Sequence, residues 1–289
     1  MVLVFSFDEN FVQHFLVAIN SILDTNRTAD LKIFVLNKDI SDKSKVTINQ
    51  NIAPYQVVVT FIEVNLDKFR GLLVSDRITI DTYFRLAIPA LLDPRINRAI
   101  YLDCDIIVLG SLRPLWEMDL QNKAFAAVPE YSNARNREMG LGETKTFNAG
   151  VMVIDVDKWR REKISERVFT YLAEHPENIK FHDQDALNGA LINEILEIPL
   201  KWNVTTPFVR LRPGDSQALY ESADKPVIIH FNEVVKPWHY RLRHPFKSYY
   251  YKYLRRTPYK EFVPADRNIE NILRKCLAVS LISLGIKRN

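Results

Sequence analysis

Apolar and polar positions along the first hundred residues set short strands against helices. "VLVFSF" (2–7) is a compact apolar run closed by Asp8 and reads as a buried strand. After it, Phe11, Phe15, Leu16, Ile19, Ile22 and Leu23 recur near 3.6-residue spacing, which predicts an amphipathic helix with Asn10 as its cap. "KIFVL" (32–36) predicts a second strand, "SDKSKVTINQNI" (41–52) a helix capped by Ser41, and "VVVTFIEV" (57–64) a third strand. "TYFRLAIPALL" (82–92) predicts a helix that Pro89 ends or kinks, and "AIYLD" (99–103) a fourth strand. Further on, "AFAAV" (124–128), "AGVMVIDV" (149–156) and "PVIIHF" (226–231) are strand-like. "DKWRREKISERVFTYLAEH" (157–175) predicts one amphipathic helix, and "DQDALNGALI" (183–192) a short helix opening on acids.

Strands alternating with helices imply an α/β protein with a mostly parallel sheet covered on both faces. Ligands of such sheets bind at the carboxyl ends of the strands. Asp8 ends the first predicted strand and Asp103 the fourth, so both are expected at one crevice. Glycine is scarce, with 8 residues, and neither GxGxxG nor GxxxxGKS occurs. A phosphate site here therefore needs a metal or cationic side chains rather than a glycine cradle.

The chemistry concentrates in "AIYLDCDIIVL" (99–109), where Asp103 and Asp105 flank Cys104 inside an otherwise apolar run. In a regular strand residues i and i+2 share one face only if the pleat is undisturbed, and their carboxylates converge on a common point only where the chain turns. Converging carboxylates repel and want a cation, for which a hard divalent ion such as Mg²⁺ or Mn²⁺ is suited. A bare DxD is also common as a strand end with solvated acids. A phosphatase nucleophile loop of DxDxT type is disfavoured by Ile107 at the fifth position.

Composition changes the picture little, but charge distribution does. The 289 residues are 47% hydrophobic and 26% charged, enough for a large core without disulfides. Two unclustered cysteines, Cys104 and Cys276, argue against structural zinc and suit a reducing compartment. No signal-peptide pattern or 18-residue apolar stretch occurs, so a cytoplasmic location is expected. The net charge of +4 hides a segment from Lys236 onward with 13 Lys/Arg against 3 Asp/Glu, on a body with 26 basic and 32 acidic residues.

Six blocks in order resemble family 8 glycosyltransferases, the retaining enzymes that include bacterial lipopolysaccharide glycosyltransferases and glycogenin. They are "SFDENF" (6–11), "TYFRL" (82–86), "YLDCDIIV" (101–108), "FNAGVMVID" (147–155), "DQDALN" (183–188) and "HFNEVVKPWH" (230–239), covering residues 1 to about 240. The resemblance implies a GT-A fold, a Rossmann-like sheet, as a catalytic domain over 1–240. It implies Asp103, Asp105 and His230 as ligands of Mn²⁺ or Mg²⁺, with Cys104 between the aspartates lining the donor site. Asp8, Asn10 and Phe11 would hold the nucleoside, Arg85 the donor, and Lys236 the leaving diphosphate. Asn148, Asp183 and Gln184 would surround the donor sugar, with Gln184 and Asp183 at the catalytic centre. The implied reaction transfers a hexose from UDP-glucose or UDP-galactose to a surface glycan on lipid or protein. A storage-sugar transferase of glycogenin type and a catalytically weak UDP-sugar-binding protein are the alternatives. The pattern departs from the family at Glu233, where a glycine is usual and a negative charge stands near the expected diphosphate.

Residues 241–289 form a basic and aromatic extension. Ile269, Ile272, Leu273, Cys276, Leu277, Leu281 and Leu284 fall on one face of a predicted helix, beside a segment interleaving Lys/Arg with Tyr. Packing on the body is one expectation. Peripheral attachment to an anionic membrane, at the inner face of the plasma membrane, is the other. The same composition carries no nucleic-acid-binding motif, and no such partner is expected.

Overall fold

The computed structural model describes residues 1–27, 29–69, 80–130, 134–209, 225–274 and 277. Seven strands form the central sheet: β1 (Val2–Ser6), β2 (Lys32–Asn37), β3 (Val59–Glu63), β4 (Arg98–Leu102), β6 (Phe125–Ala127), β7 (Val151–Asp155) and β8 (Ile195–Glu197), while β5 (Ile106–Val108), β9 (Val204–Thr205) and β10 (Ile228–His230) make a second sheet. The large sheet runs β3-β2-β1-β4-β7-β6-β8, and β7 is antiparallel to both neighbours while the remaining pairs are parallel.

Alternation along each strand sorts the core into two layers. Leu3 and Phe5 pack with Ile33, Val35, Ile100 and Leu102 against helices Val12–Thr25 and Asp42–Ile52. Val2 and Val4 pack with Ala99, Tyr101, Met152 and Ile154 against Trp159, Ile164, Val168 and Leu187 of the opposite helical layer. Both faces being covered explains why these strands are apolar almost throughout.

Several predicted elements differ in detail. Asn10 is not the helix cap: Asp8 caps a 3₁₀ turn, Glu9–Phe11, by accepting from the Asn10 amide at 3.0 Å, and the α-helix starts only at Val12. Residues 80–92 open as a 3₁₀ helix, Ile80–Ala87, and become α-helical over Ile88–Leu91. Pro89 sits in the first turn of that α-helix, where its missing N–H costs nothing, so it starts the segment rather than ending it. The single helix predicted over 157–175 is two, Val156–Arg161 and Ile164–Glu174, broken where Lys163 adopts φ 50°. Ser41 caps helix Asp42–Ile52 as expected, accepting from the Ser44 amide at 3.2 Å.

The stretch 99–109 belongs to two sheets. β4 ends at Leu102 beside β1 and β7, and β5 pairs antiparallel with β10. The Asp103–Asp105 link between them is tied at both ends: Asp103 N donates to Gly150 O at 2.8 Å, and Phe231 N donates to Asp105 O at 2.9 Å. That change of sheet is the turn the aspartate pair requires.

The carboxyl-terminal extension begins as part of the body. Helix Lys247–Leu254 buries Tyr250, Tyr253 and Leu254 in the same core as helix Val12–Thr25. Beyond it, residues 269–274 are helical, and Ile269, Leu273 and Leu277 stand exposed. Cys276, Leu281 and Leu284 lie outside the described residues.

Candidate active site

Asp103, Asp105 and His230 come together at the carboxyl end of β4, with one ligand-type atom from each within 4.8 Å of the others. His230 Nε2 lies 3.1 Å from Asp105 Oδ1 and 3.7 Å from Asp103 Oδ2. The imidazole is oriented by a chain of hydrogen bonds that starts at an unambiguous donor. The Gly150 N–H donates to Asn148 Oδ1 at 3.1 Å, so that atom is the acceptor of Asn148. Asn203 Nδ2 donates to the same oxygen at 2.8 Å, which turns Asn203 Oδ1 toward His230 Nδ1 at 3.0 Å. Nδ1 therefore carries a proton, and Nε2 faces the carboxylates. A bare Nε2 and a carboxylate oxygen at 3.1 Å need a proton or a cation between them, and two carboxylates with an imidazole fit a hard or borderline divalent ion. Gly150 makes the convergence sterically feasible: a Cβ there would overlap the His230 ring at Cε1 and stand 2.7 Å from Asp103 Oδ2.

The charges around this cluster are arranged asymmetrically. Burial pushes the Asp105 carboxyl up, but Lys236 Nζ at 2.6 Å together with His230 outweighs it and holds Asp105 well below the usual range. Lys236 Nζ also donates to Phe231 O at 2.9 Å. Asp103 Oδ1 accepts from Arg85 Nη2 at 3.1 Å and from the Tyr101 hydroxyl at 3.0 Å. Arg85 is itself buried, stacked over the Tyr101 ring at 4.2 Å, and donates to Ala149 O at 2.5 Å.

Arg85 joins the cluster to Asp183. Its Nε lies 2.8 Å from Asp183 Oδ2, yet that N–H is directed at Thr82 O, so Oδ2 receives charge without a hydrogen bond. Burial, only partly offset by Arg85 and reinforced by Asp103, pushes the Asp183 carboxyl up to about 7. Asp183 opens helix His182–Leu191 directly after His182, which is held at φ 49° while its Nδ1 meets Tyr83 OH at 3.1 Å. Asp185 is spent elsewhere. It is paired with Arg135 and accepts the Lys180 and Phe181 amides at 2.7 Å each, locking the approach to the helix.

Gln184 Oε1 accepts from the Ala149 N–H at 3.2 Å and from Asn148 Nδ2 at 3.1 Å. Its Nε2 donates to Glu130 Oε1 at 3.1 Å, which also accepts from Asn148 Nδ2. One amide network thus runs from His230 through Asn203 and Asn148 to Gln184 and Glu130. At the end of β1, Asp8 and Asn10 pair with each other, and the partly exposed Phe11 ring meets Trp238 edge-on at 6.0 Å. Cys104 is the expected donor-site residue that does not converge. Its side chain packs in the core, and burial, with three neighbouring aspartates, keeps the thiol protonated. Glu233 is half-buried on the bend between Phe231 and Lys236.

Asn203, Glu130 and Gly150 were not distinguishable as single residues in the sequence. Asn203 follows Trp202 in an ordinary loop, and Glu130 lies just past a strand end, with nothing in spacing to connect either to His230. Gly150 was likewise a plain glycine near the start of the apolar run 149–156, with nothing in the sequence linking it to His230.

A covered, mostly parallel sheet with an Asp–Asp–His cluster where β4 crosses into a second small sheet is the layout of a GT-A glycosyltransferase. The model of glycosyl transferase family 8 matches residues 2–241, and the chain belongs to that family. It is 32% identical over 264 residues to general stress protein A of Bacillus subtilis (strain 168), covering 86% of this chain and 91% of that protein. It is 26% identical over 268 residues to a lipopolysaccharide 1,2-glucosyltransferase of Escherichia coli (strain K12), covering 90% and 79%. The galactosyltransferase LgtC, solved in complex with donor and acceptor sugar analogs, superposes with a TM-score of 0.79 at 25% identity, covering 92% of this chain and 98% of LgtC. The protein is thus a glycosyltransferase enzyme.

Proposed function

We propose that the protein is a divalent-metal-dependent, retaining hexosyltransferase that moves glucose or galactose from a UDP-sugar to a surface-glycan acceptor on lipid or protein. The observation that carries this is the convergence of Asp103, Asp105 and His230, with the Lys236 ammonium 2.6 Å from Asp105. The relatives that act on lipopolysaccharide or carry a galactosyltransferase name support the hexose and the glycan acceptor. Bound at the cluster, Mn²⁺ or Mg²⁺ would hold the diphosphate and neutralise charge on it as it departs.

The chain's own groups supply the rest. Lys236 places a second positive charge beside the leaving diphosphate. Arg85 holds Asp103 and Asp183 in fixed relation, so the diphosphate side and the sugar side of the site are rigidly registered. Asp8, Asn10 and Phe11 receive the nucleoside, and Asn148, Asp183 and Gln184 the sugar. Double displacement needs a free carboxylate or comparably strong nucleophile on the far face of the sugar. Asp185 is consumed by Arg135 and two amides, Gln184 Oε1 by two donors, and Asp183 is buried against Arg85 with its carboxyl pushed up to about 7, which supports front-face transfer with the leaving diphosphate taking the acceptor proton. A screen of nucleotide sugars for Mn²⁺-dependent hydrolysis tests the reading. Turnover of UDP-glucose or UDP-galactose, abolished in Asp105→Asn, is expected, and UDP binding with no turnover of any donor would overturn it.

Exposed Ile269, Leu273 and Leu277 lie one helical turn apart in a segment rich in Lys and Arg, which supports attachment to an anionic membrane face. Among the described residues no helix is long and apolar enough to cross a membrane. A chain ending at Asn268 should no longer sediment with phosphatidylglycerol vesicles, and unchanged sedimentation would refute the attachment.

A further inference from the structure

Lys236 projects from a turn that is gripped from outside the family-matched region. Residues Lys236 to His239 close a β-turn twice: His239 N donates to Lys236 O at 2.9 Å, and Lys236 N donates to His239 Nδ1 at 3.0 Å. Pro237 occupies the second position of the turn, where its fixed φ belongs. The chain that follows is held by two full charges. Lys247 Nζ donates to the carbonyls of His239, Tyr240 and Leu242 at 2.6, 3.0 and 3.3 Å. The Asp266 carboxylate accepts the amides of Tyr240 and Arg241 at 2.5 and 3.1 Å. Within the turn, Trp238 stacks on His14 with centroids 3.5 Å apart, and His14 Nδ1 meets Tyr250 OH at 2.8 Å. Lys247 and Tyr250 share one helix, and Tyr250 is buried in the core.

We propose that Lys247 and Asp266 are positioning residues for the Lys236 ammonium, so that the carboxyl-terminal extension is part of the diphosphate site. A lysine has a long, freely rotating stem, and its ammonium is useful at a phosphate only if its backbone is fixed. Charge-assisted hydrogen bonds, roughly twice as strong as neutral ones, fix it here, gripping five backbone groups between residues 239 and 242. The rigid turn then delivers Nζ to Asp105.

The inference rests on Lys236 acting on the diphosphate, and a double-mutant cycle separates the two. UDP affinity is measured by calorimetry at saturating Mn²⁺ for Lys236→Met, Lys247→Met and the double variant, with Mn²⁺ affinity measured without nucleotide. Lys247→Met should weaken UDP about tenfold and leave Mn²⁺ affinity within about twofold. The double variant should bind UDP no more weakly than Lys236→Met, because Lys247 acts only through Lys236. Multiplying effects, or no effect of Lys247→Met beside a clear effect of Lys236→Met, would overturn the positioning role alone. No effect of Lys236→Met would overturn the diphosphate role and the inference with it. If Lys247→Met does not fold, Asp266→Asn enters the same cycle under the same criteria.

Discussion

Replacing Gly150 by alanine adds one methyl group where two side chains of the candidate metal cluster pass. The new Cβ would lie 2.7 Å from Asp103 Oδ2 and 2.9 Å from His230 Nδ1, whereas ordinary Cβ contacts begin at 3.4 Å. Something must move by more than half an ångström, and each neighbour is pinned. Asp103 is held by Arg85 and Tyr101, and His230 is buried and held by Asn203. The Gly150 backbone is held as well, since its carbonyl accepts from Asp103 N and its N–H donates to Asn148. Overpacking of this kind costs about 1–3 kcal/mol, and on a chain this size it lowers Tm by about 2–5 °C. Displacing one of the three proposed ligand groups should cost Mn²⁺ affinity about 100-fold. Mn²⁺ binding is read from the electron paramagnetic resonance signal of the free ion, and Tm from scanning calorimetry. Gly110→Ala is the control, with its Cβ 3.3 Å from Val227 Cγ1 and away from the cluster; it should leave Mn²⁺ affinity unchanged. Wild-type Mn²⁺ affinity in Gly150→Ala would refute the steric reasoning.

The raised pKa of Asp183, about 7 against an ordinary 3.8, means the folded state holds a proton that the unfolded chain releases. Its contribution is full below pH 4 and is lost as pH rises through 7, by roughly 4 kcal/mol. The stability of Asp183→Asn relative to wild type should therefore increase from pH 5 to pH 8 in urea unfolding, and a constant difference would contradict this. Asn203→Ala removes the acceptor that orients His230 and should weaken Mn²⁺ binding about 10–100-fold, with titration against a competing chelator as the measurement. Arg135→Met leaves the buried Asp185 carboxylate with only backbone donors, and should destabilise the fold by about 3 kcal/mol in denaturant unfolding.

The two-layered α/β core was legible because apolar runs such as 2–7 and 32–36 report burial on both faces, whatever the order of strands. Element ends were less legible. The break at Lys163 and the 3₁₀ course of 80–87 leave the apolar periodicity intact, so pattern alone does not reveal them. Asp103, Asp105, His230 and Lys236 were readable as chemistry from their residue types and block order, because metal and phosphate sites need particular atoms. Asn203 and Glu130 were not, since an amide or a carboxylate in a loop is ordinary until folding gives it a neighbour.

The sequence by itself determined the layer architecture, the family and the set of groups able to meet a cation and a diphosphate, since these depend on residue type and spacing. Only the tertiary structure decided how those groups are held. The crossing from β4 to β5 turns two carboxylates onto one point, Gly150 leaves room for His230, and the Gly150 amide dictates the Asn148–Asn203–His230 orientation. Apart from the Gly150–Asn148 bond and the Asp103–Asp105 turn, these contacts join residues tens of positions apart, where only folding creates adjacency.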